Sequence, residues 1–176
     1  TKYPAVVRIC QLVEGMPLGL ELAAAWVRVL SCQEIAQEIE KNLEFLATSL
    51  RDVPARHRSL RAVFDHSWQL LSEPERAVFK KLSVFRGGFD RRAAEEVAGA
   101  SLSMLAGLAN KSLLRVDSSG RYDMLEPLKQ YAAAKLAETP ADEEQVRDRH
   151  RDHFASFLKR MENDIVSTMR QEALDK

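Results

Sequence analysis

The amino-acid sequence predicts a mainly α-helical fold carrying one short β-hairpin, on three observations. Apolar residues recur at i, i+3 and i+4 along most of the 176 residues. Proline, glycine and capping residues punctuate these runs at helix-sized intervals. The pattern of paired strands occurs in one place, where two short apolar runs flank the glycine-bearing stretch Asp117-Ser118-Ser119-Gly120.

Taken in order, Val6, Ile9, Cys10 and Val13 mark the inner face of a first helix over residues 3–13, which Gly15 breaks. Pro17 opens a second helix, since its missing N–H costs nothing in the first turn, and Leu18, Leu22, Ala25, Trp26 and Val29 share one face of it. Ser31 caps a third helix while Glu34 reaches back, and the stripe runs Ile35, Ile39, Leu43, Leu46, Leu50. From Arg51 to Ser59 the periodicity lapses around Pro54 and clustered charge, which predicts an exposed connector. Leu60, Val63, Phe64, Ser67, Trp68 and Leu71 then form a firm amphipathic stripe. Ser72-Glu73-Pro74-Glu75 caps the next helix, whose Val78, Phe79 and Leu82 face the core.

Phe85-Arg86-Gly87-Gly88-Phe89 reads as a turn, since paired glycines tolerate positive φ. Asp90 caps a short helix ending near Gly99, and Leu102, Leu105, Leu108 and Ala109 line another. Leu113, Leu114 and Val116 on one side of this loop and Tyr122 and Met124 on the other are the two runs of the hairpin. A helix from about 125 to 137 turns Leu128, Tyr131, Ala132 and Leu136 inward. Thr139-Pro140 starts the last helix, with the stripe Val146, His150, Phe154, Phe157, Leu158, Met161, Ile165. Both tryptophans, on apolar stripes, are expected in the core.

The order of elements between Leu60 and Ala137 is that of a winged helix with an added leading and trailing helix, the hairpin being its wing. Three parts follow: a helical subdomain over 1–55, a winged-helix domain over 56–138, and a C-terminal helical segment over 139–176. The last segment reads as the possible start of TPR-like helical repeats. Such arrays need about three units to stand, so the remainder is expected outside this chain. With Thr1 first and a charged helical stretch last, the sequence is expected to be cut from a longer protein.

Charge narrows the function classes. Lys+Arg and Asp+Glu both number 26, so no net field gathers nucleic acid or an anionic membrane. A 45% hydrophobic and 30% charged composition is that of an ordered globular chain. No apolar run approaches the ~20 residues of a membrane span, and no signal peptide is evident, so a cytoplasmic location without membrane association is expected. Cys10 and Cys32 sit within helical patterns, where reduced thiols behave as small hydrophobes.

The stretch Gly15-Met16-Pro17-Leu18-Gly19-Leu20-Glu21-Leu22-Ala23-Ala24-Ala25-Trp26 resembles the Gly-x-Pro segment of STAND-type signal-transduction ATPases of the NB-ARC kind. Residues 58–68 and 71–89 resemble the opening of that family's winged helix in its bacterial regulator branch. Residues 108–114 and 122–132 resemble its later helix, wing and closing helix, so the likeness spans roughly residues 3–137. The resemblance implies that Gly15, Met16, Pro17 and Leu18 lie against an adenine nucleotide. It also implies that the Met-His-Asp motif, whose histidine in some relatives reaches the β-phosphate of ADP, maps to Met124-Leu125-Glu126. Leu125 cannot donate a hydrogen bond, so at the Leu125–Glu126 sensor position this contact is missing or supplied by another residue.

Neither the phosphate-cradling Gly-x-x-x-x-Gly-Lys-Ser/Thr loop nor an acidic strand for Mg²⁺ is present in the sequence. The chain is therefore expected to be non-catalytic. Its implied ligand is ADP or ATP in the full-length parent only, with no tight binding to this chain alone. Implied partners are a preceding nucleotide-binding domain, following repeats or an effector, and other copies on activation. Two rival functions arise from the residues: a DNA-binding winged-helix transcription regulator and a protein-docking helical adaptor. Against the first, the helix that would read bases, over 101–112, offers Lys111 as its only cation, while Arg115 and Arg121 on the wing are offset by Asp117 and Asp123. Arg51, Arg56, His57, Arg58 and Arg61 form one basic cluster, read as a solvated connector. His150 and His153, one helical turn apart, are read as packing or surface residues, with no metal expected.

Overall fold

The computed structural model describes residues 3–41, 45–46 and 59–174. The described helices are α1 (Tyr3–Leu12), α2 (Pro17–Trp26), α3 (Cys32–Lys41), α4 (Leu60–Gln69), α5 (Glu73–Leu82), α6 (Arg91–Ala98) and α7 (Leu102–Asn110). The hairpin β1 (Arg115–Val116) and β2 (Tyr122–Asp123) follows, then α8 (Glu126–Ala137) and α9 (Pro140–Leu174). The fold is thus mainly α with one antiparallel two-stranded hairpin, Arg115 opposite Asp123 and Val116 opposite Tyr122. The expected boundary at 55/56 and Arg51, Arg56, His57 and Arg58 of the basic cluster lie outside the described residues, as do Leu43 and Leu50. Thr139, at the later expected boundary, lies between α8 and α9.

Local chemistry sets most helix starts. Ser31 and Glu34 form a reciprocal cap at the start of α3, the Ser31 N–H donating to the carboxylate at 2.9 Å and the Glu34 N–H to the Ser31 hydroxyl at 3.3 Å. Ser72 and Glu75 do the same for α5, Ser59 caps α4, and Asp90 accepts the Ala93 N–H at 2.7 Å to start α6. Gly99 ends α6 at φ +70°, as a C-terminal glycine should.

The first block packs α1 on α3, with Ile9, Val13, Leu22, Ala23, Ile35, Ala36 and Ile39 buried between the three helices. In the second, α5 is the platform: α6, α7 and α8 all pack on it, and α9 packs on α6. Phe79 and Leu82 of α5 are each 1% exposed, facing Leu105, Leu108, Leu128 and Leu136 in one continuous apolar cluster with the first block. Tyr131 ties α8 to α4 by donating its hydroxyl to Asp65 at 2.7 Å; burial, then that carboxylate, pushes the phenol's pKa upward.

Several faces differ from their sequence reading. Val6 and Cys10 on α1 are exposed, as are Ala25 and Val29, because α1 and α2 bury a narrower stripe than their composition allows. Leu102 and Val116 are exposed too. Trp26 and Trp68 are half-buried at the edge of the core rather than inside it. On α9, Val146 is 1% exposed and His150 half-buried, but Phe154, Phe157, Leu158, Met161 and Ile165 are open, since α9 continues past the elements it packs on. His150 lies edge-on to Phe85, burial lowering its pKa, and His153 meets Glu96 at 2.6 Å.

Gly87 and Gly88 do not take positive φ. The glycine at 88 serves close approach instead: a Cβ there would lie 3.1 Å from the Tyr122 carbonyl. That proximity lets Phe89 and Tyr122 exchange two backbone hydrogen bonds of 2.8 Å, joining the loop to the wing.

Candidate functional site: the proline corner and the start of α8

The corner between α1 and α2 begins with a Schellman ending. The Gly15 N–H donates to the Cys10 carbonyl and the Glu14 N–H to that of Gln11, both at 3.0 Å. This makes Glu14, with φ +47°, the first residue beyond the helix in left-handed geometry, and Gly15 follows at φ +70°. The helix break assigned to Gly15 is therefore shared with Glu14. Gly15 and Pro17 are exposed, Met16 and Leu18 half-buried. Met16 is the extended residue before α2 and Pro17 its first helical residue. Behind them Gly19 is buried, and a Cβ there would lie 2.9 Å from the Val13 Cβ. The corner is thereby clamped from below and open above.

Across from the corner stands the start of α8. Leu125 is the cap residue, half-buried, and its side chain makes no capping hydrogen bond. Glu126 is exposed and its side chain reaches Lys129 at 3.5 Å. The cap is supplied from elsewhere: the Glu126 N–H donates to Glu14 Oε1 at 2.6 Å, and Arg115 on β1 approaches Glu14 Oε2 at 3.4 Å. A carboxylate at a helix N-terminus meets both an orphan donor and the positive end of the helix dipole. The structure thus links the Gly15–Leu18 segment to the Leu125–Glu126 position, through a residue sequence reasoning missed. Its only sequence signal was an acidic residue at a helix end, where glycine is usual.

In a DNA-reading winged helix the base-contacting helix would be α7. Its nine residues carry no Lys or Arg, and Lys111 just beyond it is held by both Glu75 oxygens, at 2.6 and 2.8 Å. Ser72 adds a backbone N–H to the same carboxylate at 2.8 Å. The Lys111 ammonium, then that backbone donor, lower Glu75 to a pKa of about 2. A depressed folded-state pKa contributes stability above the ordinary glutamate range and loses it as pH falls from about 4.5 to about 2. Glu75→Gln should therefore destabilise by about 1 kcal/mol at pH 7, a figure kept small by solvent screening, and by progressively less as pH falls towards and through about 2. Urea midpoints of both proteins across that range check it; parallel curves would refute the assignment.

On the wing, Asp117 accepts N–H donors from Ser119 at 2.8 Å and Arg121 at 3.0 Å, and its pKa is lowered first by the Ser119 hydroxyl. Arg121 also donates to the Gly88 carbonyl. The shallow concavity lined by Gly88, Arg115, Asp117, Arg121 and Asp123 is therefore of mixed charge. Among the described residues, no group of three or more His, Cys, Asp or Glu side chains is placed to hold a metal ion, and no helix is long and apolar enough to cross a membrane.

No family model matches the sequence. Proteins of Mycobacterium bovis and Mycobacterium tuberculosis, provisionally named HTH-type transcriptional regulators, are 38% identical over 163 residues, covering 87% of this chain and 18% of theirs. A further Mycobacterium tuberculosis protein, named only as uncharacterized, is 34% identical over 157 residues, covering 83% of this chain and 40% of its own. The chain thus spans under a fifth of the length of those regulators. Among solved structures, a STAND protein with a tetratricopeptide repeat sensor from Pyrococcus horikoshii aligns with a TM-score of 0.48 at 17% identity, covering 76% of this chain and 21% of that one.

Proposed function

We propose that this chain is the non-catalytic relay of a larger STAND-type regulator of transcription, reporting which adenine nucleotide the parent protein holds. The observation that carries this reading is the docking of the proline corner on the start of α8 through Glu14. In this reading the corner completes one wall of a nucleotide pocket belonging to a preceding domain, and the α5–α8 unit is the lid. With ADP bound the lid is closed; ATP favours the state in which the winged helix rotates as a rigid body. Rotation exposes surfaces for self-association, and repeats or an effector beyond α9 carry the output. The order of motifs over residues 3–137 and the name carried by the mycobacterial relatives support the regulator class.

The composition of α7 weighs against DNA reading by this winged helix, because the helix carries no Lys or Arg and Lys111 just beyond it is already engaged by Glu75. Phosphate contacts supply much of the affinity for duplex DNA, and this surface has few to offer.

The test is calorimetry of ADP on the full-length protein and on Pro17→Ala. Affinity is expected to fall about tenfold in the variant, equivalent to about 1.4 kcal/mol, and residues 1–176 alone are expected to bind ADP more weakly than about 1 mM. Unchanged affinity and unchanged nucleotide response in Pro17→Ala would favour a docking adaptor. A salt-dependent mobility shift of duplex DNA by residues 1–176 would favour the DNA-binding alternative.

A further inference from the structure

Glu14 is held in a backbone conformation that its own side chain opposes. At φ +47° it fills the slot beyond α1 that helices ordinarily give to glycine, since a Cβ crowds the backbone there. A residue kept in such a place invites the question of what its side chain does. Among the described residues, the hydrogen-bond and ion-pair partners of the carboxylate are both distant in the chain. One oxygen caps α8 through the Glu126 N–H, 112 residues away, and the other pairs with Arg115, 101 residues away. These two partners stand at the first residue of α8 and the first residue of β1. Leu125 has no polar side-chain atom with which to cap α8 itself.

We propose that Glu14 is the latch of the relay: a single carboxylate on the end of α1 that pins both the lid helix α8 and the wing strand β1 to the proline corner. Movement of the corner is then felt at two points of the winged helix together, and the corner cannot shift relative to the lid without breaking both contacts. Pro17 shapes the corner; Glu14 couples it. The functional consequence rests on the relay reading, but the latch itself is a property of the fold and is read with no nucleotide added.

The test is amide hydrogen exchange on the full-length protein and on Glu14→Gly and Glu14→Gln. Glu14→Gly relaxes the backbone of the helix end while removing the carboxylate, so α1 should keep its protection. Exchange in the segment 124–130 is expected to rise about tenfold in Glu14→Gly, because local opening of the first turn of α8 loses its cap. Glu14→Gln should fall between, since its amide oxygen still accepts from Glu126 while the charge on Arg115 goes unanswered. Protection of 124–130 within about twofold of the unaltered protein in Glu14→Gly would make Glu14 a helix-end residue only and overturn the proposal. Faster exchange spread evenly over α1–α3 and α8, the mark of general destabilisation, overturns it as well. Because the exchange readout involves no ADP, a failed latch and a failed relay give different patterns: the first shows in exchange, the second in the ADP affinity of Pro17→Ala.

Discussion

Phe79→Ala is expected to lower the free energy of unfolding by about 3–5 kcal/mol, the cost of deleting a buried aromatic ring whose space cannot close. Phe79 is 1% exposed, in the middle of α5, with the Trp68 ring 6.2 Å away centroid to centroid. Because α6, α7 and α8 all pack on α5, a hole there loosens the whole winged helix. Typical domains have only about 5–15 kcal/mol of stability, so this one ring carries a large fraction of it. Urea unfolding followed by circular dichroism gives the number, and a loss below 1 kcal/mol would show that α5 is not the platform described.

Gly19→Val should have the next largest effect, about 3 kcal/mol, and for the opposite reason: crowding. The new Cβ would sit 2.9 Å from the Cβ of Val13, a residue with no exposed surface and a branched side chain that cannot swing aside. Relief requires α2 to move off the end of α1, which displaces Met16 and Pro17 with it. Gly107→Ala is the matched control. Its Cβ would lie 3.1 Å from Glu75 Oε1, the far end of a flexible side chain, so the cost there should be slight. Equal losses in the two variants, measured by urea unfolding, would contradict the distinction.

The parts of the fold legible beforehand share one property: their causes lie within four residues. The Ser31–Glu34 and Ser72–Glu75 boxes, the Asp90 cap and the Gly99 ending were readable because each satisfies a helix end with a neighbour in the chain. Apolar periodicity located the helices equally well, yet overstated what they bury. Val6, Val29 and the outer half of the α9 stripe carry the right spacing and face solvent, because spacing describes a face and says nothing of what lies opposite it. Gly87-Gly88 shows the same limit. A glycine pair suggests a left-handed turn, whereas the reason at 88 is the Tyr122 carbonyl, 34 residues further on.

The candidate site divides along the same line. Gly15-Met16-Pro17-Leu18 and Leu125-Glu126 were each visible as short patterns, one a helix break and start, the other a departure from Met-His-Asp. That Glu14, beside the first, caps the helix that begins at the second and pairs with Arg115 depends on contacts spanning more than a hundred residues. Lys111 likewise read as the one cation available to α7, until the fold placed it on Glu75.

By itself the sequence determined the helices, their caps, the hairpin and the proline at the corner, because backbone hydrogen bonding and φ preferences act between near neighbours. Tertiary structure decided which apolar faces are covered, why Gly19 and Gly88 have no side chain, and which carboxylate caps α8. Those outcomes depend on which distant surfaces come within a few ångströms, and that is settled only when the whole core packs.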